Sequence, residues 1–300
     1  MKLVFSKSEL SKAVGIVMKA VPTRTTMNIL ECILIDATTN VIKFTSNDME
    51  LGIETIVEGE IIEKGKVAIE AKLFSEIVRR FPDNEVTIST DANYTSLITC
   101  EKSKINIAGK SGEDFSFLPI IDKDKMITIS QFNLKEIINQ TIFSTAPNDN
   151  NKMMTGELFE VSDNTLKVVG LDGHRIAIRS IQLEGRADDV KAVVPGKTLQ
   201  EISKLMSTDA ENMVNIYFTN NHILFEFDNT IVVSRLIEGE YFKINQMLSS
   251  DYETKVVINK KEFIGSIDRA NLLITESEKK PIIINITDGS LEVTVNSSKG

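Results

Sequence analysis

Three segments of this 300-residue sequence open in the same way. Phe5-Ser6-Lys7-Ser8-Glu9-Leu10 leads into Val14 and Val17, and Ile129-Ser130-Gln131-Phe132-Asn133-Leu134 leads into Ile138 and Thr141. Ile258-Asn259-Lys260-Lys261-Glu262-Phe263 leads into Ile267 and Ala270. Each has an apolar residue, then Ser or Asn, then a segment with i, i+4, i+7 spacing. That pattern predicts a strand end, an N-cap and an amphipathic helix. The second opening lies 124 residues after the first, and the third 129 after the second. Repetition of this kind confines the fold to an array of like units, because each copy must build the same local structure.

The match continues inside the units. Asn40-Val41-Ile42-Lys43 with Asp48 parallels Asn164-Thr165-Leu166-Lys167 with Asp172. Val67-Ala68-Ile69 before Lys72-Leu73-Phe74-Ser75-Glu76-Ile77 parallels Ala192-Val193-Val194 before Lys197-Thr198-Leu199-Gln200-Glu201-Ile202. Each unit therefore predicts a strand, a helix, several strands, a second helix and further strands. Alternation in Ile53–Val57, Val214–Phe218 and His222–Phe227 marks strands, with Asn220-Asn221 as a hairpin turn. The expected domains are 1–124, 125–253 and 254–300, the last a partial unit that ends where the others carry their Asp. Some 70 to 80 further residues are expected to complete it, by likeness to the internal units.

The remaining classes of protein narrow quickly. Hydrophobic residues make up 42% of the chain, enough to build cores and too many for a disordered segment. No window approaches the run of about 18 apolar residues that a membrane helix needs. The start, Met1 to Lys7, becomes polar too early for a secretory signal. The two cysteines, Cys32 and Cys100, lie within apolar runs and suggest core thiols in a reducing, cytoplasmic setting. The net charge of -9 argues against tight wrapping by nucleic acid, but leaves room for a local basic stripe. Residues 1–124 carry 15 basic and 19 acidic side chains, 125–253 carry 12 and 18, and 254–300 carry 7 and 6.

Leu171-Asp172-Gly173-His174-Arg175 is the segment closest to a catalytic motif, with His174 as a base oriented by Asp172. A hydrolase or nucleotide-binding enzyme centred there is one alternative. Against it, no Ser or Cys occupies a nucleophile motif, no metal-spaced cluster occurs, and Gly109-Lys110-Ser111 lacks a phosphate loop. The bland reading is a tight turn in which Gly173 takes unusual dihedrals. No metal or cofactor is expected.

Seven stretches, in order along the chain, resemble the bacterial DNA polymerase III beta subunit, the sliding-clamp family. They are Lys19–Leu30 (with Val21-Pro22-Thr23-Arg24-Thr25-Thr26), Asn47-Asp48-Met49-Glu50, Ser116-Phe117-Leu118-Pro119 with Gly156-Glu157-Leu158-Phe159-Glu160, Leu171–Ala177, Arg235–Tyr241, and Asp268-Arg269-Ala270-Asn271-Leu272-Leu273. The resemblance implies an α+β fold of tandem clamp repeats, with helices lining a channel and antiparallel sheets outside. It implies a head-to-tail homodimer, a ring around duplex DNA that tethers a replicative polymerase without catalysis of its own. Clamp loader subunits and other replication and repair proteins are the remaining partners. A clamp-like paralogue that has lost DNA loading is a second alternative.

The resemblance also assigns residues. Lys12 and Lys19, read as seven apart on the outer face of the first helix, join Arg79, Arg80, Lys197 and Lys204 of the second helices in lining the channel. Lys72 of the second helices and Lys260, Lys261 and Arg269 of the partial unit are further cations of the same kind; the bland reading is that all are ordinary solvated cations. Loop residues Arg24 and Lys152 are expected to touch DNA, although Met153 and Met154 depart from the family pattern beside Lys152. An apolar cleft for partner peptides takes Met154, Leu171, Gly173, His174, Arg175, Ile176, Phe242, Gln246 and Met247. Phe242 stands where the family usually has Pro, and Gln246 where it has Arg. Ile77 and Ile105 match one dimer surface, and Leu272 and Leu273 the other.

Overall fold

The residues expected to start helices do so by the same hydrogen bond. Ser6 caps α1 (Lys7–Val17), its hydroxyl accepting from the Glu9 N–H at 3.3 Å. Ser130 caps α3 (Gln131–Thr141) by accepting from the Asn133 N–H at 3.2 Å. Asn259 caps α6 (Lys260–Asn271), its Oδ1 accepting from both Lys261 and Glu262. A side-chain acceptor at this position satisfies an otherwise orphaned N–H of the first turn. The structure is a computed structural model and describes residues 1–116, 118–248, 251–274 and 280–296. Phe117 of the Ser116–Pro119 stretch and residues 297–300 lie outside the described residues.

The first repeat runs β1 (Lys2–Ser6), α1, β2 (Cys32–Asp36), β3 (Ile42–Asn47), β4 (Leu51–Val57), β5 (Glu60–Glu63), β6 (Lys66–Glu70), α2 (Ala71–Arg80), β7 (Glu85–Thr90), β8 (Thr95–Cys100) and β9 (Ser103–Ser111). The second runs β10 (Met126–Ser130), α3, β11 (Gly156–Ser162), β12 (Thr165–Leu171), β13 (Ile176–Gln182), β14 (Val190–Pro195), α4 (Gly196–Leu205), β15 (Met213–Phe218), β16 (His222–Phe227) and β17 (Thr230–Arg235). Apart from β5, the two lists correspond element by element. The chain divides into two compact units, Met1–Tyr241 and Phe242–Gly300, so both repeats share the first.

Within each repeat the pairings agree as well. β1 pairs with β7 as β10 pairs with β15, and β2-β3-β4 is a meander like β11-β12-β13. Alternate strand residues point to one face, where the helices cover them. Leu10, Val14 and Val17 of α1 and Leu134, Ile137 and Ile138 of α3 are buried in one cluster with Phe5, Phe44, Phe74, Phe159 and Phe225. Cys32 and Cys100 are buried free thiols, as their apolar settings predict. Among the described residues no helix is long and apolar enough to cross a membrane.

One antiparallel ladder joins the repeats. β17 pairs with β4 from Thr230↔Thr55 to Ser234↔Leu51, making a single 13-stranded sheet. At the seam the Thr55 and Thr230 hydroxyls lie 2.9 Å apart, both buried. The edge of β4 is thereby covered, which removes an exposed template for unwanted pairing. The second sheet, β13-β12-β11-β14, leaves the far side of β13 unpaired among the described residues.

The second unit holds α5 (Ile244–Met247), α6 and the hairpin of β18 (Ile282–Thr287) and β19 (Ser290–Val295). Two expectations need correction. The apolar residues before Asn259 form no strand, unlike β1 and β10. Those strands exist by pairing with β7 and β15, and residues 256–258 have no such partner among the described residues. Lys19 also differs from its expected place: α1 ends at Val17, and Lys19 sits in the following 3-10 turn, Met18–Ala20. The buried Ser46 hydroxyl donates to the Val17 carbonyl there, satisfying an acceptor of the last turn.

Candidate functional site

The expected channel cations fall into two groups. Arg24, Lys12, Arg79 and Lys152 are exposed and make no ion pair among the described residues. The other four are paired. Lys19 Nζ lies 3.3 Å from Glu201 Oε2, and Lys204 Nζ lies 2.7 Å from Glu201 Oε1. Lys197 Nζ reaches Asp48 Oδ2 at 2.9 Å, and Arg80 reaches Glu76 at 3.3 Å. Two of these pairs cross the seam between repeats, from α4 to the turns after α1 and β3. A hollow of about 210 Å³ lined by Lys12 and Ile16 of α1 and Leu205 of α4 lies at the same seam. Helix α1 of the first repeat and α4 of the second thus meet beside the β4–β17 ladder.

Burial works to raise the Glu201 carboxyl, and the hydrogen bonds and charges of Lys204 and Lys19 carry it below its ordinary range. It remains an anion at neutral pH. Neither Glu201 nor Asp48 was legible as a partner of these lysines. The Glu201 to Lys204 spacing places both on one helical face. Nothing in the sequence links Lys19 to Glu201, which are far apart along the chain.

The two Asp residues matched by the repeat occupy one and the same turn. Asp48 Oδ1 accepts from the Glu50 and Leu51 N–H groups at 3.0 and 2.7 Å, closing β3 to β4. Asp172 Oδ1 accepts from His174 and Arg175 at 3.1 and 3.3 Å, closing β12 to β13. The following residue has positive φ in both, +75° at Met49 and +84° at Gly173. Glycine takes that conformation at little cost, whereas Met49 needs the turn to hold it there. Asp172 Oδ2 also accepts from Arg175 Nε at 2.9 Å. The His174 N–H and then the Arg175 guanidinium hold the Asp172 carboxyl below the usual carboxylate range. Its oxygens thus serve the turn and the guanidinium, and they do not orient the His174 imidazole. Among the described residues no group of three or more His, Cys, Asp or Glu is placed to hold a metal.

Around this turn the structure gathers the first-unit members of the expected cleft. Met154, in the 3-10 turn Lys152–Thr155, brings Cε to 3.9 Å from where a Cβ on Gly173 would sit. Leu171 is buried beneath the turn, while Gly173, His174 and Arg175 are exposed and Ile176 is half-buried. The Arg175 guanidinium stands 5.8 Å from the centre of the Phe143 ring, which is 57% exposed. Phe143 was not anticipated, because one aromatic after a helix carries no periodic signal. In the second unit, Gln246 and Met247 are exposed on the single turn of α5, and Phe242 is half-buried just before it. Of the remaining candidates, Ile77 is buried and Ile105 half-buried against the first unit's own core, whereas Leu272 is 82% and Leu273 37% exposed at the end of α6.

Comparison with known proteins agrees with this anatomy. The family described as "DNA polymerase III beta subunit, N-terminal domain" matches residues 1–119, and "DNA polymerase III beta subunit, central domain" matches 128–243. The beta sliding clamp of Staphylococcus epidermidis is 35% identical over 289 residues, which cover 94% of this chain and 76% of the relative. That of Staphylococcus aureus is 34% identical over 288 residues, covering 93% and 76%. Among solved structures, one from Eubacterium rectale, provisionally assigned as a DNA polymerase III beta subunit, is 64% identical with a TM-score of 0.96. It covers 100% of this chain and 82% of that one. The DNA polymerase sliding clamp of Bacillus subtilis is 30% identical with a TM-score of 0.90, covering 98% and 83%.

Proposed function

The chain belongs to the DNA polymerase III beta subunit family, the beta sliding clamps, and from that premise we propose that it encircles duplex DNA and tethers a replicative polymerase in the cytoplasm. The observation that carries the reading is the seam. One repeat is added to the next by pairing β17 with β4, while α1 and α4 come together beside that ladder. Repeating that addition continues the sheet as an outer wall and the helices as an inner lining. The unpaired side of β13 offers the same kind of edge that β4 gives to β17. On β9, Ser103–Ala108 pairs only with β8 among the described residues, which leaves Ile105 on a second open edge there. Head-to-tail closure through Ile77 and Ile105 against Leu272 and Leu273 of a second copy uses such edges.

Duplex DNA is held without sequence preference by Lys12, Lys19, Arg24, Arg79, Arg80, Lys152, Lys197 and Lys204. Many firm phosphate contacts bind tightly and steeply with salt, which opposes translation. A ring with few unpaired cations obtains its residence time from topology instead. Polymerase, loader and repair partners dock short apolar segments beside Met154, Leu171, Gly173, His174, Arg175 and Ile176; the family resemblance gives the same role to Phe242, Gln246 and Met247 of the second unit. Two buried apolar anchors contribute about 3–6 kcal/mol before the costs of association, so docking is weak and exchangeable. Thioethers repack easily around different partners. The chain contributes processivity and no catalytic group. The test is primer extension on primed circular DNA with polymerase and loader. Adding the protein should lengthen products on the circle, and the gain should vanish on a linear template with free ends. Equal gains on both templates would defeat the enclosure mechanism.

A further inference from the structure

Two carboxylates sit at the seam where cations for DNA are expected, and both are built in. Glu201 bridges Lys19 of the first repeat and Lys204 of its own helix, with only 21% of its side chain exposed. The Asp48 side chain is 9% exposed, and backbone N–H groups at 3.0 and 2.7 Å fix one of its oxygens. Its other oxygen is thereby aimed at Lys197. A long exposed lysine ordinarily roams through water and finds a phosphate freely. These three are held instead by anions whose own positions are fixed.

We propose that Glu201 and Asp48 are affinity-limiting residues of the DNA channel, internal counter-anions that compete with phosphate for Lys19, Lys204 and Lys197. The proposal rests on the clamp reading and adds a mechanism to it: the interior stays net attractive while three of its cations are buffered. A phosphate approaching Lys19 or Lys204 must displace the same carboxylate, and it meets that carboxylate's charge once it has done so. The contact therefore forms and breaks readily as the duplex moves. The same carboxylates tie α4 to the first repeat, so the device that limits affinity also orients the second helix of the second repeat.

The experiment is a fluorescence anisotropy titration of the full chain with a labelled duplex of roughly 25 base pairs, long enough for several phosphate contacts, from 20 to 200 mM NaCl. Glu201→Gln keeps the shape of the side chain and frees two lysines. It should tighten binding at the lowest salt by roughly threefold to tenfold and steepen the log–log salt slope by about 0.9 for each lysine that takes up a phosphate. Asp48→Asn keeps its backbone acceptor and should give a smaller gain of the same sign through Lys197. Glu184→Gln, an exposed position in the β13–β14 loop, makes the same change in net charge without freeing a lysine, and should do neither.

Equal gains from Glu201→Gln and Glu184→Gln would overturn the proposal, as would no gain from Glu201→Gln or no binding by either protein at 20 mM. A further variant separates the two levels of the reading. If Lys19→Gln/Lys204→Gln weakens binding while Glu201→Gln changes nothing, the counter-anion role fails and the channel stands. If the double lysine variant binds as the parent does, the channel assignment itself fails.

Discussion

Glu157 in β11 is fully buried, and neither carboxyl oxygen has a hydrogen-bond partner among the described residues. Burial pushes its pKa from 4.5 up to about 8, and the nearby Thr141 hydroxyl offsets only part of this. The repeat explains the setting. At an offset of 124, Glu157, Gly170 and Thr141 answer to Ile33, Ser46 and Val17. In the first repeat the Ser46 hydroxyl donates to the carbonyl that ends α1. In the second, Gly170 leaves that place vacant: a Cβ there would lie 2.6 Å from the Thr141 carbonyl and 3.3 Å from Glu157 Oε1. A protonated Glu157 thus occupies the polar corner that Ser46 fills in the first repeat. Across the site, the Tyr241 phenol is raised first by burial and then by the charge Glu157 would carry.

The sign follows from proton counting. Between pH 4.5 and 8 the folded chain holds a proton on Glu157 that the unfolded chain has released, so stability falls as pH rises through that window. At about 1.4 kcal/mol per pH unit, the loss relative to acid conditions is roughly 3 kcal/mol at pH 7 and at most about 5 above pH 8. Glu157→Gln carries no proton to lose. Its stability minus that of the parent should rise by about 3.5 kcal/mol from pH 5 to pH 8. For a unit of this size each kcal/mol moves Tm by about 2–4 °C, so thermal melts at pH 5, 6, 7 and 8 resolve the trend. Taking the difference cancels other groups, including His222. Its pKa is lowered by burial and by Arg235, so it adds stability as pH rises toward 6.5. A difference between the two proteins that stays flat across these four pH values refutes the buried-acid reasoning.

Four further outcomes can be checked. Ser6→Ala and Ser130→Ala should each cost about 1 kcal/mol in chemical denaturation, since each removes the N-cap acceptor of its helix. Thr55→Val leaves the Thr230 hydroxyl unpartnered at the repeat seam and should cost roughly 1–3 kcal/mol by the same measure; no loss would mean that the hydroxyl pair contributes nothing. Cys32 and Cys100 are buried with thiols raised by that burial, so a thiol reagent should label neither at pH 7.5 until denaturant is added. For the cleft, Met154→Ala and Met247→Ala should each weaken binding of a labelled polymerase-derived peptide about tenfold, as lost apolar contact implies. Unchanged affinity would remove those residues from the docking surface.

Much of the architecture was legible in the sequence because repetition makes weak signals corroborate one another. The caps Ser6, Ser130 and Asn259, the Asp48 and Asp172 turns and the burial of both cysteines depend on local hydrogen bonding and hydrophobic period, which neighbouring residues specify. The strand expected before Asn259 failed for the opposite reason. A strand is completed by its partner, and periodicity alone does not supply one. Lys19 likewise lies beyond α1, in a 3-10 turn that follows Val17 just as Ile142–Ser144 follows α3 in the second repeat. The family motifs identified candidate residues but not their state. That Lys19, Lys204 and Lys197 are held by Glu201 and Asp48, and that Glu157 faces the corner left by Gly170, depends on segments brought together from distant parts of the chain. Sequence fixes which residues recur and with what period. Only the packing of one repeat against the next decides which charges meet, because Coulomb and desolvation terms depend on separation in space and not along the chain.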